Sequence, residues 1–282
     1  MTDSQGKQFR KALVAQQPLQ IVGTINAYCA MMAERAGFTA IYLSGAGVAN
    51  MSYGLPDLGF TSLNDVLIDV RRITQATDLP LLVDIDTGWE DRQGVAHTIT
   101  EMIKAGVAAV HMEDQVSAKR CGHRPNKTLV SCDAMVKRIT EAVNAKSDAD
   151  FYIIARTDAL ANEGLDSAIT RTKAYVAAGA DAIFAEAITE LDQYRQFVDA
   201  LDVPLLANIT EFGKTPLFTL DELREVGVAM ALYPLSAVRA MNQAAMNVYE
   251  TLENLGTQKD IINTMQDRET LYDILRYHEY EK

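Results

Sequence analysis

Nine residues, KRCGHRPNK from Lys119 to Lys127, gather a thiol, an imidazole, four cationic side chains and a glycine. They come shortly after an apolar run that ends in carboxylates, HMED from His111. A thiol beside Arg and His has its pKa drawn toward neutrality, which suits it to exchanging a proton with a carbanion or attacking an electrophile. Four cations around it suit it to an anionic reactant. The same residues also have a mundane use. A lone Cys is most often a small buried hydrophobe, and a basic cluster is most often solvated surface. What decides between these uses is what else the fold brings to the loop.

The elements that must position it repeat along the chain. AGFTAIYLSG from Ala36, AGVAAVHMED from Ala105, AGADAIFAEA from Ala178 and VGVAMALYP from Val226 each join a helix end, a glycine and a short apolar run. Such runs are typical of strands buried on both faces. LPLLVDID from Leu79 resembles VPLLANIT from Val203, and LQIVGTIN and FYIIARTD complete eight strand candidates. Helical stripes lie between them, such as Val66, Leu67, Val70 and Ile73 behind a start signal at Ser62 to Asp65. Ser131 and the pair Thr219 and Glu222 are further start signals. Eight alternating units without a long linker most simply close into an α/β fold of the (β/α)8 TIM-type barrel. An open doubly wound sheet is the other arrangement, but no GxGxxG follows the first strand. We expect residues 1–282 to form this single domain. Residues 235–282 form a helical extension beyond the barrel's needs, suited to packing on a neighbouring subunit: a long helix to Leu255, a break at Gly256 and a last helical stretch from Lys259 to Tyr280.

In such a barrel the site is built from the carboxyl ends of the strands and the loops after them. The second strand ends in Ser44, Gly45, Ala46 and Gly47, the third in Asp84 and Asp86, the fourth in Glu113 and Asp114. Arg156 and Asp158 end the fifth, Glu186 the sixth, Asn208 and Thr210 the seventh, Pro234 and Ser236 the eighth. Carboxylates on several strand ends repel in a dry pocket unless a cation lies between them. A hard, oxygen-seeking ion resolves this, and Mg²⁺, with Mn²⁺ as substitute, is the default because it needs few protein carboxylates. Asp84 and Asp86 alternate along one strand and so point the same way, with Glu113 on the adjoining strand. Each has a plainer use, capping a helix or pairing with Arg. Asp57, in GLPDLGF, is either a further acidic group behind the metal or a turn residue. Ser44 to Gly47 offers backbone N–H groups to a carboxylate or phosphate, or makes a plain turn. Burying Arg156 at a strand end is expensive without an anion. No strand supplies a lysine for a Schiff base, so the three carboxylates are expected to converge without one. The cysteine loop then closes over the site as a lid.

The bulk numbers agree with a small anionic ligand. At 282 residues, 48% hydrophobic and with a net charge of −12, the chain repels polyanions, so nucleic acid and anionic membrane are poor partners. No apolar run approaches a membrane span. Three cysteines, Cys29, Cys121 and Cys132, with a polar start and no apolar signal core, point to a reduced cytoplasmic compartment rather than a disulfide framework or zinc site.

The motifs LSGAG, VDIDTGW, HMEDQ, KRCGHRPNK, ARTDA, AEAIT, NITEFGKTP and LYPLSAVRAMN occur in this order along nearly the whole chain. In these it resembles the isocitrate lyase and phosphoenolpyruvate mutase superfamily. The resemblance implies a (β/α)8 barrel, Mg²⁺ at Asp84 and Asp86, and Cys121 as catalytic acid on a mobile loop. It implies substrate contacts at Ser44, Gly45, Ala46, Cys121, Gly122, Arg156, Glu186, Asn208, Ile209, Thr210, Arg239 and Arg268, and a homo-oligomer, a tetramer. The phosphonate enzymes and related decarboxylases of the superfamily lack the KRCGH loop. True isocitrate lyases are much longer and carry an NCSPS type of sequence where this chain reads NITEF. Ile209 and Phe184 then leave an apolar wall with room for one extra methyl. The implied reaction, in propionate breakdown, is cleavage of a methyl-bearing hydroxy tricarboxylate into pyruvate and succinate. Cations at His123, Arg156 and Arg239 would hold the dianion that cleavage leaves, and Cys121 would protonate it. Tyr42 and a metal-coordinated carboxylate or hydroxide both remain as the general base. A metal-dependent decarboxylase or phosphonopyruvate-type enzyme keeps the metal cradle without needing Cys121. A non-catalytic anion-binding barrel has no use for either.

Overall fold

The structure is a computed structural model that describes residues 3–89, 94–120, 122 and 127–281. Each expected apolar run becomes a strand: β1 (Leu19–Gly23), β2 (Ile41–Leu43), β3 (Leu81–Asp84), β4 (Ala109–Glu113), β5 (Tyr152–Thr157), β6 (Ala182–Ala185), β7 (Leu205–Asn208) and β8 (Met230–Tyr233). They pair in parallel in chain order, and β1 pairs with β8, so the sheet closes into a barrel. The repeated glycine before β2, β4, β6 and β8 has a physical cause. Gly37, Gly106, Gly179 and Gly227 hold φ of 91°, 83°, 103° and 82°, the left-handed conformation that ends a helix and that side chains resist.

Period-two alternation then sorts the side chains. Leu19, Ile21, Tyr42, Leu82, Ile154, Phe184, Leu206 and Leu232 pack together inside the barrel. Their chain neighbours Ile41, Leu43, Leu81, Val83, Val110, Ile153 and Ile183 face outward and pack with the helical stripe of Val66, Leu67, Val70 and Ile73. The start signals act as expected. Ser62 and Asp65 form a capping box at helix Leu63–Thr74, Thr219 and Glu222 form one at Leu220–Glu225, and Ser131 caps Cys132–Asn144.

The helix Ser236–Leu255 ends at Gly256, with φ 64°. Only Val238 of it is buried, and Met246, Tyr249, Leu252 and Leu255 are exposed. The stretch from Lys259 to Tyr280 is not one helix. It divides into a 3₁₀ segment Lys259–Thr264, an α-helix Arg268–Leu275 and a 3₁₀ turn Tyr277–Glu279. Asp267 accepts from the Thr270 amide and starts a helix afresh, and Arg276, at φ 53°, stops it. Tyr28 donates to Gln266 Oε1 at 2.8 Å, and Arg35 meets Asp273 at 3.5 Å, tying the segment back to the helix Ala27–Arg35. Among the described residues no helix is long and apolar enough to cross a membrane.

Candidate active site

Inward positions at the carboxyl ends of the strands share a polar cavity of about 360 Å³. The alternation that buries Leu82, Ile154 and Leu206 in the barrel aims Asp84, Arg156 and Asn208, two residues further on, into this mouth. Of the residues singled out from sequence, Tyr42, Ser44, Ala46, Asp57, Asp84, Glu113, Gly122, Arg156, Glu186, Asn208, Thr210 and Arg239 line it. Gly45 and Asp86 are buried just behind. Ile209 does not wall the pocket as expected. With Asn208 and Thr210 turned inward, its side chain falls on the outer face and packs in the layer under the helices, so Phe184 forms the apolar wall without it, beside Leu232 and Pro234. Arg268, at the start of its exposed helix, is not among the cavity's lining residues. Cys121 and His123 lie outside the described residues.

Strand β3 stops at Asp84, and Asp86 follows in a left-handed turn with φ 49°. The turn folds back so that the Asp86 amide donates to Asp84 Oδ1 at 3.0 Å, while the Gly45 amide donates to Asp84 Oδ2 at 3.2 Å. The expectation of carboxylates without a lysine is corrected here. Lys119, from the loop after β4, is buried, with its ammonium 2.6 Å from Asp57 Oδ1 and 2.5 Å from Asp86 Oδ1. Burial alone would lower its pKa, but Asp86, Glu113, Asp84 and Asp57 outweigh that and hold it well above the ordinary lysine value. It stays protonated, so it is a counter-ion and not a Schiff-base amine.

Arg156 balances the other side. Its guanidinium lies 3.0 Å from Asp158, 3.3 Å from Glu186 and 3.4 Å from Glu113, with the Phe184 ring 5.1 Å beneath it. Asn208 reaches Glu186 at 3.4 Å. Tyr42 Oη and His111 Nε2 are 2.9 Å apart, and His111 Nδ1 is 3.7 Å from Asp84. Burial drives the Tyr42 pKa well above 10.0, helped by the Asp84 charge, and drives His111 down to about 4. At neutral pH the pair is therefore uncharged. Burial also raises Glu113 well above its ordinary value and Asp86 to about 6, with Lys119 opposing in both. For Asp84 burial pushes upward, yet the carboxyl sits below its ordinary value because His111, Lys119 and Arg156 pull the other way. His111 adds its charge only as it becomes protonated near pH 4, whereas Lys119 and Arg156 carry theirs throughout.

These groups suit a small divalent cation. A methyl built on Gly45 would lie 3.1 Å from both Asp84 Oδ2 and Asp86 Oδ1, so two carboxylate oxygens converge on one point that glycine leaves open. Glu113 Oε1 is buried and has no hydrogen-bond partner among the described residues. The expected set of Asp84, Asp86, Glu113 and Asp57 does not close on one point. Among the described residues no three His, Cys, Asp or Glu side chains form a cluster that could hold a metal ion, because Lys119 draws Asp57 and Arg156 draws Glu113. Two carboxylates and retained water are the donor set Mg²⁺ commonly takes.

Lys119 and His111 are the residues that sequence reasoning passed over. Lys119 opens the very loop singled out for its thiol, and His111 stands two positions before Glu113, on the inward register of β4. Alternation alone would have found the second.

The family model for phosphoenolpyruvate phosphomutase matches residues 9–253. The 2-methylisocitrate lyase of Shewanella oneidensis is 63% identical over 281 residues, spanning 100% of this chain and 96% of that protein. Among solved structures, 2,3-dimethylmalate lyase, a member of the same superfamily, superposes with TM-score 0.92 at 33% identity, covering 100% of this chain and 94% of that one. Phosphonopyruvate hydrolase in complex with oxalate and Mg²⁺ superposes with TM-score 0.87 at 27% identity, covering 99% and 97%. With a closed barrel, its acidic mouth and matches along the whole chain, this protein belongs to the phosphoenolpyruvate mutase/isocitrate lyase superfamily.

Proposed function

We propose that the chain is a divalent-metal-dependent carbon–carbon lyase that cleaves 2-methylisocitrate into pyruvate and succinate. The observation that carries this reading is the cavity itself: two carboxylates that converge at Gly45, the buried Arg156 guanidinium, and an apolar wall of Phe184, Leu232 and Pro234. It is supported by the 63% identity to a 2-methylisocitrate lyase. Asp84 and Asp86 would hold Mg²⁺, or Mn²⁺ in its place, with Asp57 and Glu113 as further acidic groups. Bound there, the ion would polarise the 2-hydroxyl and its neighbouring carboxylate as a Lewis acid.

The protein's own groups do the rest. Ser44 and Ala46 face one substrate carboxylate, with Gly45 between them committed through its amide to Asp84, and Arg156, Asn208, Thr210 and Arg239 hold the others. Glu186 keeps Arg156 and Asn208 in place. Tyr42 keeps its proton, so it serves as a hydrogen-bond donor, and a site carboxylate takes the hydroxyl proton. The bond from the hydroxyl-bearing carbon to its neighbour breaks, the hydroxyl becomes the pyruvate carbonyl, and the electron pair stays on the carbon beside a succinate carboxylate. Arg156, Arg239 and His123 offset that charge, and Cys121 donates the proton that completes succinate. Phe184, Leu232 and Pro234 give the extra methyl an apolar wall, a preference over isocitrate of about 1 to 3 kcal/mol. The exposed stripe on Ser236–Leu255 supports packing on further copies of the chain, as in a tetramer.

Pyruvate release from 2-methylisocitrate, measured beside glyoxylate release from isocitrate, tests the reading. Pyruvate should form, stop with EDTA and resume with Mg²⁺. No pyruvate, or release indifferent to EDTA, would discard it.

A further inference from the structure

Lys127 carries a second buried ammonium at the barrel mouth, and the cleavage chemistry has no use for it. Its side chain is 1% exposed. Its Nζ donates to the Gly122 carbonyl and to Asp158 Oδ1, each at 2.6 Å. Its own carbonyl accepts from Asn162 Nδ2 at 2.7 Å, which ties it to the short helix Leu160–Glu163 after β5. Burying an ammonium is costly unless it is paired, so a lysine here is retained for what it grips.

What it grips reaches the site from two directions. Asp158 also accepts from Arg156 Nε at 3.0 Å and from Nη2 at 3.2 Å, so one carboxylate joins the cavity's main cation to Lys127. The Asp158 amide donates to Asp114 at 2.9 Å, which anchors the carboxylate's own backbone. Gly122, the other acceptor, lies against the site so closely that a methyl on it would fall 2.3 Å from Arg156 Nη2 and 2.7 Å from Glu186 Oε2. Only a fixed backbone without a side chain fits there. In sequence Gly122 is the residue directly after Cys121.

We propose that Lys127 is a positioning residue: it clamps the Gly122 carbonyl to Asp158, seats that backbone against Arg156 and Glu186, and so governs turnover rather than substrate affinity. The kinetic part rests on the lyase reading above, whereas the seating concerns the fold alone. Lys127→Met removes the ammonium and keeps its bulk, and Asp158 retains Arg156, so no charge is left unpaired.

The experiment combines hydrogen exchange by mass spectrometry with steady-state kinetics on the full chain, for wild type, Lys127→Met and Lys127→Arg. Lys127→Met should exchange faster in the peptide spanning 116–130, with the strands elsewhere unchanged. Its kcat for 2-methylisocitrate should fall on the order of 100-fold, the scale of a small misplacement, while KM stays close to wild type. Lys127→Arg, which keeps a cation, should recover part of both. Unchanged exchange at 116–130 overturns the clamp, and so does faster exchange with kcat intact. Exchange that rises throughout the barrel, or failure to fold, also overturns it, by making Lys127 a support of the whole fold. Should wild type prove inactive on 2-methylisocitrate, the lyase reading falls and the exchange comparison still decides the clamp.

Discussion

An alanine at position 45 would put its methyl 3.1 Å from Asp84 Oδ2 and Asp86 Oδ1, and Asp84 cannot swing aside freely because two backbone amides hold it. Gly45→Ala is therefore expected to weaken Mg²⁺ binding by roughly 10-fold, about 1.4 kcal/mol, while the melting temperature barely moves. Calorimetric titration of wild type and variant with Mg²⁺ makes the comparison, and equal affinities would show that the cation binds elsewhere. Arg156 is equally committed by geometry. Its planar fork serves Glu113, Asp158 and Glu186 at once, which a single ammonium cannot copy. Arg156→Lys keeps the charge but should lower kcat/KM by at least about 100-fold, the scale of losing a preorganised donor. Kinetics near wild type would take Arg156 out of substrate binding and leave it a structural ion pair.

The helix Leu63–Thr74 depends on its first turn, where Ser62 and Asp65 satisfy each other's backbone amides. Ser62→Ala should cost about 1 kcal/mol in urea unfolding, with kcat unchanged because Ser62 is not among the residues that line the cavity. The end of β5 makes a pH prediction. Burial alone would raise the Asp158 pKa, but Arg156 and Lys127 override it and hold it at about 2, against an ordinary 3.8. A carboxyl depressed in the folded state stabilises above its unfolded pKa and loses that contribution as pH falls through the folded one. Asp158 should thus supply about 2 kcal/mol at neutral pH that disappears between about pH 4 and pH 2. Stability followed by urea unfolding across that window should fall less steeply in Asp158→Asn. Identical slopes would mean that Asp158 is not depressed.

At the scale of the whole molecule the unfinished surface is the C-terminal extension. Met246, Tyr249 and Leu252 recur at a spacing of three along one exposed face of a helix with a single buried residue. A second copy of the chain would cover them, so sedimentation velocity should show an oligomer at micromolar concentration. The double variant Tyr249→Glu with Leu252→Glu should dissociate it, since charges cannot be left dry at such an interface. A wild-type chain that sediments as a monomer would refute this packing.

Sequence by itself determined the eight strands and their order, because short apolar runs alternating with helical stripes, four of them entered through a left-handed glycine, have few other uses, and it determined which strand ends carry carboxylates. Period-two alternation even placed Asp84, Glu113, Arg156 and Asn208 on one rim. Tertiary structure decided which of these charges meet. Lys119 and Asp86 are 33 positions apart in the chain but in contact at 2.5 Å, and no local pattern encodes a pairing across strands. The same limit explains Ile209, whose direction depends on where β7 stops and whether the next residues keep its pleat. It also explains the broken helix after Gly256, where apolar spacing continued but the cap at Asp267 prevailed. Local propensity acts over a few residues, whereas ion pairs and cavity walls are set by the closure of the barrel, which sums all eight strands at once.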